Sequence, residues 1–140
     1  MTLVEHQNSG PYSIRELAEE NDIPRRFLEQ IMLELKSQGW VESIPGRDGG
    51  YQMKIAADKL TMGQVVRYFD GILAPIACVS TSHYEPCSQE PRCRFRQVLL
   101  EIRNYVSQAM DKATLAKVVR GAIVAKEEVF SQEFAFADGI

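Results

Sequence analysis

Apolar residues recur at helical spacing along most of the chain, and one short stretch alternates instead. Residues 13–16, with the sequence SIRE, form a capping box that begins a first amphipathic helix. A second helix opens at Pro24 and runs to about Gln38, just before Gly39, a residue that suits a helix end. Two short helices joined by about three residues are typical of a helix-turn-helix.

The second of these helices has two distinct faces. Its apolar face consists of Phe27, Leu28, Ile31, Met32 and Leu35. The opposite face carries Arg26, Glu29, Gln30, Leu33 and Ser37. Spacing alone supports two interpretations equally: an ordinary surface helix with a solvated face, or a helix that contacts DNA bases.

An alternating stretch follows directly. Residues 40–44 alternate as a strand does, residues 45–50 form a turn rich in glycine, and residues 51–54 return as a second strand. A hairpin directly after a helix-turn-helix predicts a wing, with Arg47 at its tip and glycines that allow close approach to a minor groove. The alternative is a glycine-rich surface hairpin without a ligand.

The C-terminal half returns to helical spacing. A second capping box at residues 61–64 begins a helix that ends at Gly71, and Thr114 caps a short helix further on. Between them, residues 92–110 carry an apolar stripe, which consists of Phe95, Val98, Leu99, Ile102, Val106, Ala109 and Met110. A helix of this kind often packs against its own copy, which predicts a homodimer; packing within one chain is the alternative.

Composition narrows the class of protein. The chain has 140 residues, no apolar run long enough for a membrane span and no signal peptide at its start, so we expect a cytoplasmic protein. A net charge of −3 means that any DNA affinity must come from locally placed arginines. No catalytic triad, phosphate-binding loop or carboxylate pair is evident, so we expect no enzyme activity.

All three cysteines lie in one loop, residues 75–93, with the spacing C-x8-C-x5-C. Cys78, Cys87 and Cys93 are compatible with an iron–sulfur cluster or a metal ion, with a thiol switch, or with unreactive buried thiols. Three thiols leave a four-ligand site incomplete, and His83 is the histidine that lies in the loop. Three arginines close to Cys93 in sequence favour its thiolate form: Arg92, Arg94 and Arg96.

Taken together, these stretches resemble the Rrf2 family of bacterial transcription regulators, and its iron–sulfur members most. The matching segments span about residues 10–120. They include SIRELAE at 13–19, IP at 23–24, FLEQI at 27–31, GWVES at 39–43, GGY at 49–51 and TMGQVV at 61–66. The cysteines lie where the cluster-binding members carry theirs.

The resemblance implies a mainly α fold with a small β-hairpin, a winged helix-turn-helix plus a long dimerisation helix. It divides the chain into a DNA-binding region (1–71), the cysteine loop (72–93), the dimerisation helix with the following helix (92–123) and a tail (124–140). The homodimer would bind palindromic double-stranded DNA, with no membrane partner. The implied DNA-contacting residues are Arg25, Arg26, Glu29, Gln30 and Arg47.

The resemblance further implies a cluster held by Cys78, Cys87 and Cys93, with [2Fe–2S] favoured over [4Fe–4S]. The fourth-ligand position that some relatives fill with a histidine is Arg96 here, which leaves His83 or a residue of the partner's first helix. Residues 2–7 correspond to the end of that first helix, so we expect the numbering to begin inside an element. Two other functions stay open: a cluster-free thiol-switch regulator, and an iron–sulfur carrier or electron-transfer protein that binds no DNA.

Overall fold

The computed structural model describes residues 1–7, 9–71, 73–125 and 128. The aromatic part of the predicted tail at 124–140 lies outside the described residues. The elements in chain order are α1 (Thr2–Glu5), α2 (Ile14–Glu20), α3 (Arg25–Ser37), β1 (Val41–Ile44), β2 (Gly50–Met53), α4 (Met62–Asp70), α5 (Phe95–Lys112) and α6 (Leu115–Val119). The predicted fold class, mainly helical with one small hairpin, is confirmed.

Both predicted capping boxes are present. Ser13 Oγ accepts the Glu16 N–H at 3.2 Å, and Glu16 Oε2 accepts the Ser13 N–H at 2.8 Å. Thr61 and Gln64 make the same reciprocal pair at the start of α4. Because each pair satisfies two otherwise unpaired N–H groups, the positions where α2 and α4 begin follow from local sequence.

The core of the winged helix lies between α2, α3 and β1. It is built on Leu17, Leu28, Met32 and Val41, which are all buried. Phe27, predicted on the apolar face of α3, is instead 62% exposed. At 3.6 residues per turn Phe27 lies about 100° round the helix from Leu28, beyond the stripe that the core covers.

The hairpin is antiparallel, with Val41 opposite Met53 and Ile44 opposite Gly50. Its second strand also pairs with the segment before α2, because Tyr12 and Tyr51 exchange two backbone hydrogen bonds of 2.9 and 2.7 Å. A Cβ at Gly50 would lie 2.2 Å from the Tyr12 carbonyl oxygen. This close approach requires glycine and fixes the wing to the helix-turn-helix.

The long helix packs against α4 and against a 3-10 turn at Ala77–Val79. It was predicted over 92–110, but it begins at Phe95 and continues to Lys112. The preceding residues Glu90–Arg92 form a separate 3-10 turn that contains a proline. Within the described ranges, no helix has the length and apolarity that crossing a membrane requires.

After α5 the chain returns to the segment before α4. Thr61 and Thr114 form an antiparallel bridge, and the Leu115 N–H donates to the Leu60 carbonyl at 2.8 Å. Arg67 of α4 forms an ion pair with Asp111 of α5, close to the buried Gly63. A side chain at position 63 would collide with the Asp111 carboxylate, so glycine lets the two helices approach.

Candidate DNA-binding surface and cysteine loop

The first turns of α3 present polar side chains to solvent. Arg25 Nε lies 2.9 Å from Glu29 Oε1, four residues later on the same face, and the side chains are 64% and 42% exposed. Arg26 and Gln30 are also exposed. The pairing holds Glu29 in one orientation on the helix surface while leaving its second carboxylate oxygen available.

Between α3 and the wing lies an open groove of about 650 Å³. Glu29 and Leu33 line it from the helix, and Ile44 and Arg47 line it from the hairpin. The structure thus brings Glu29 and Arg47 to one groove, whereas Arg25, Arg26 and Gln30 lie outside its lining. Leu33 is 56% exposed, which leaves an apolar side chain beside the charged ones.

Arg26 and Arg47 are exposed cations of this surface. Within the described part of the chain, neither forms an ion pair with a carboxylate. An exposed guanidinium without a carboxylate partner is free to contact a DNA phosphate. This local excess of positive charge is compatible with the acidic composition of the whole chain.

One aromatic residue of α4, Tyr68, contacts α3. The Tyr68 hydroxyl donates to the Glu34 carboxylate of α3. The Tyr68 ring also meets Trp40 edge to face, with the ring centroids 5.5 Å apart. Since α4 in turn packs on α5, a continuous set of contacts joins α5 to α3.

The apolar stripe predicted on α5 divides into two parts. Leu99, Val106 and Met110 are half-buried against their own chain. An exposed stripe, which we call the α5 stripe, consists of Phe95 (77% exposed), Val98 (54%), Ile102 (44%) and Tyr105 (77%). Its members recur every three or four residues, and it includes Tyr105, which the sequence analysis did not place in the stripe.

The cysteine loop is attached to α5 through its backbone. Cys78 is buried within the Ala77–Val79 turn, Cys93 is half-buried and Cys87 is exposed, and all three are free thiols. Arg96 Nη2 donates to the Cys78 carbonyl at 3.1 Å, and Arg103 Nη1 donates to the Val79 carbonyl at 3.0 Å. Two guanidinium groups of α5 therefore fix the position of the first cysteine.

Glu90 organises the second half of the loop and was missed by the sequence analysis. Its carboxylate accepts the Cys87 N–H at 3.2 Å and the Tyr84 hydroxyl at 2.9 Å, and Arg96 Nη2 lies 3.3 Å from Oε2. The Cys87 N–H holds the pKa of Glu90 below its ordinary value, and the Glu90 carboxylate raises the pKa of Tyr84. The signal was present as the spacing C-x2-E-x2-C over residues 87–93.

His83 is placed apart from this network. It is exposed, its N–H donates to Ser80 Oγ at 3.0 Å, and its ring lies against Gly71 at the end of α4. Three Cys, His, Asp or Glu residues can hold one metal ion when their donor atoms lie within 4.8 Å of one another. Across the described ranges, Glu5, His6 and Glu20 meet this condition, and no three residues of the cysteine loop do. The loop therefore does not form a compact site for a single metal ion.

Comparison with known proteins agrees with this architecture. The model of the family described as "Rrf2: Iron-dependent Transcriptional regulator" matches residues 1–121. An rrf2-like HTH-type transcriptional regulator of Rhodobacter capsulatus is 42% identical over 93 residues, which are 64% of this chain and 62% of that protein's length. The HTH-type transcriptional regulator IscR of Erwinia tasmaniensis is 28% identical over 114 residues, 81% of this chain and 67% of that protein.

The solved structure of CymR, described as the global cysteine regulator of Bacillus subtilis, superposes with a TM-score of 0.73 at 27% identity, over 87% of this chain and 88% of that one. These relatives are named as regulators of transcription and not as enzymes. The winged helix, the cysteine loop on its long helix and the match over residues 1–121 lead to one conclusion. The chain belongs to the Rrf2 family of transcription regulators.

Proposed function

We propose that this chain acts as a homodimer that binds double-stranded DNA and senses redox, iron or nitric-oxide state through an iron–sulfur cluster in its cysteine loop. The observation that carries the proposal is the attachment of this loop to α5. Arg96 and Arg103 bind the loop backbone from the same helix that presents the α5 stripe. A change in the loop is thereby transmitted to the helix that sets the distance between two protomers.

In the DNA-bound state α3 lies in the major groove and the wing contacts the adjacent minor groove. Arg26 and Arg47, which are exposed and form no ion pair among the described residues, bind phosphates. Glu29 contacts a base, since a carboxylate accepts the amino group of cytosine, and Arg25 orients it. A two-fold dimer presents two such helices, so its operator is roughly palindromic.

The dimer forms through the α5 stripe. Four large apolar side chains exposed along one helix face are unusual for a single small domain. Pairing two copies of the helix removes these side chains from water on both protomers. The α5 residues that contact their own chain, such as Leu99 and Val106, lie directly beside the stripe, and we expect them to stay packed.

The donor set of the loop fits an iron–sulfur cluster better than a single metal ion. Thiolates are the usual cluster ligands, and a cluster distributes its ligands over several atoms and a larger volume. Cys78 lines a cleft of about 410 Å³ together with Tyr84, Arg96 and Leu100, whereas Cys87 and Cys93 lie outside its lining. Cys78, Cys87 and Cys93 would hold the cluster, which supplies a centre whose loss or oxidation changes the conformation of the loop. We propose [2Fe–2S] rather than [4Fe–4S].

A thiol switch without a cluster is the second candidate. Cys87 is exposed and free, and a structural relative carries the description of a global cysteine regulator. In that case oxidation of the thiols, rather than loss of a cluster, would move the loop. A carrier or electron-transfer role without DNA binding accounts for neither the groove between α3 and the wing nor the family match.

The test begins with protein purified without oxygen. We expect visible absorption, with iron and sulfide in equal amounts, and a gel-shift affinity for a palindromic operator that changes when the cluster is removed. Replacing Cys78, Cys87 or Cys93 by Ala should abolish the absorption, while Ser88→Ala, a neighbouring exposed residue, should preserve it.

Each rival function has its own signature in the same assay. A colourless protein whose DNA binding changes on thiol oxidation is the thiol switch, and a coloured protein without DNA affinity is the carrier. Glu29→Ala should change the preferred operator sequence. An unaltered preference would remove Glu29 from base recognition.

A further inference from the structure

We propose that Glu90 is the fourth protein ligand of the cluster and completes the set formed by Cys78, Cys87 and Cys93. The inference rests on the proposed cluster and assigns the position that three thiols leave open. It replaces both His83 and a ligand from the partner with a residue of the loop itself. Its basis is the geometry of the backbone between Cys87 and Cys93.

The chain from Cys87 to Cys93 is folded in 3-10 turns. The Glu90 N–H donates to the Cys87 carbonyl at 3.0 Å, and the Cys93 N–H donates to the Glu90 carbonyl at 3.4 Å. In a 3-10 helix, side chains three residues apart lie directly above one another. The 3-10 helix itself spans Glu90–Arg92, and the two turns link Glu90 through its backbone to Cys87 on one side and to Cys93 on the other.

The first cysteine is brought to the same carboxylate by Arg96. A single guanidinium nitrogen, Nη2, lies 3.1 Å from the Cys78 carbonyl oxygen and 3.3 Å from Glu90 Oε2. Tyr84, whose hydroxyl donates to Glu90, lines the same cleft as Cys78. Arg96 therefore links the Glu90 carboxylate, which accepts the Cys87 N–H, to the backbone of Cys78.

The surroundings of Glu90 are those of an oriented ligand. A carboxylate offers about four lone-pair positions, and three donors reach the two Glu90 oxygens, so one position is left for iron. Cys87 N–H, Tyr84 and Arg96 restrict its rotation, as outer partners of ligating carboxylates commonly do. Arg96, at the position where relatives place a ligand, acts here by holding Glu90.

His83 lacks these features. Its ring lies against Gly71, and its backbone N–H donates to Ser80 Oγ. Glu90 lies three residues from each of the two cysteines, and its own N–H and carbonyl are hydrogen-bonded to Cys87 and Cys93.

The experiment reconstitutes the cluster anaerobically in the wild type and in a set of single variants. Glu90→Ala should lose its visible absorption faster than the wild type by about tenfold or more. Glu90→Cys should keep a cluster, with an absorption and EPR spectrum shifted towards that of four thiolate ligands. Glu85→Ala, an exposed carboxylate of the same loop, and His83→Ala should match the wild type.

Glu90→Cys separates ligation from a structural role, because a thiol cannot reproduce the hydrogen bonds to Tyr84 and Arg96. Glu90→Gln keeps the shape and an acceptor oxygen, and it too should lose the cluster quickly while its circular dichroism stays native. Native cluster lifetime in Glu90→Ala, or loss in His83→Ala alone, overturns the assignment. If the wild type itself takes up no iron and sulfide, the proposed cluster function fails, and the ligand assignment fails with it.

Discussion

Replacing Ile102 by Glu should convert the dimer into monomers. Ile102 is 44% exposed at the middle of the α5 stripe, so its remaining apolar surface is available only to a partner. Fully burying an isoleucine contributes about 1.5–3 kcal/mol, so the part still exposed is worth about 1 kcal/mol per protomer. A two-fold interface contains the residue twice, which doubles the loss to about 2 kcal/mol.

The new carboxylate adds a second cost. A polar group buried without a partner costs about 1–3 kcal/mol, again once in each protomer. The sum is at least about 4 kcal/mol, and because each 1.4 kcal/mol is a factor of ten, the dimer Kd should rise by at least about a thousandfold. The fold of the monomer should survive, since Leu99, Val106 and Met110 still hold α5 on its own chain.

Sedimentation velocity over a series of concentrations measures this Kd directly. Asn104→Glu is the matched control, because it places the same charge on an exposed part of α5 about 160° from Ile102 and should leave the Kd unchanged. Circular dichroism confirms that Ile102→Glu is folded. A native Kd in a folded Ile102→Glu protein would refute the stripe as the interface and place it elsewhere.

Three further predictions concern the winged helix. Arg47→Ala should weaken operator binding and lower the slope of log K against log salt by about 1, because one phosphate contact is lost. Gel shifts at several salt concentrations measure this slope. An unchanged slope would remove Arg47 from the interface. Gly50→Ala should cost about 2 kcal/mol in urea unfolding, since the added methyl collides with the Tyr12 carbonyl. The hydrogen bonds from Ser13 lower the pKa of Glu16 below its ordinary value of 4.5, so the stability that they contribute is present above that pH and is lost as the pH falls through the folded pKa. The free energy of unfolding, measured in urea, should therefore differ less between the wild type and Ser13→Ala in acid than at neutral pH. A difference that does not depend on pH would contradict this.

The parts of the fold that could be predicted from sequence are those decided by neighbouring residues. The capping boxes at Ser13 and Thr61 and the glycine-rich wing each depend on a few adjacent side chains, and all are present in the structure. Phe27 shows the limit of this approach. Periodicity assigns it to an apolar face, but whether another element covers that edge of α3 depends on tertiary packing.

The candidate site divides in the same way. The loop and its three cysteines were evident from sequence, whereas the role of Glu90 depends on the turn that places it beside Arg96 and Tyr84. Similarly, a single apolar stripe on α5 was predicted, but the helix has two adjacent contact faces. Hydropathy does not show which face meets its own chain, because both are equally apolar.

The bridge between Thr61 and Thr114 has a consequence for folding and exchange. It closes a long segment of chain that contains the cysteine loop and α5, and it is supported by the bond from Leu115 to Leu60. Because the ends of this segment are joined at the base of the winged helix, local opening of the cysteine loop need not spread into α2 and α3. Amide hydrogens of the loop should therefore exchange with solvent well before those of Leu17 and Leu28, and the DNA-binding unit should stay folded while the loop is rearranged.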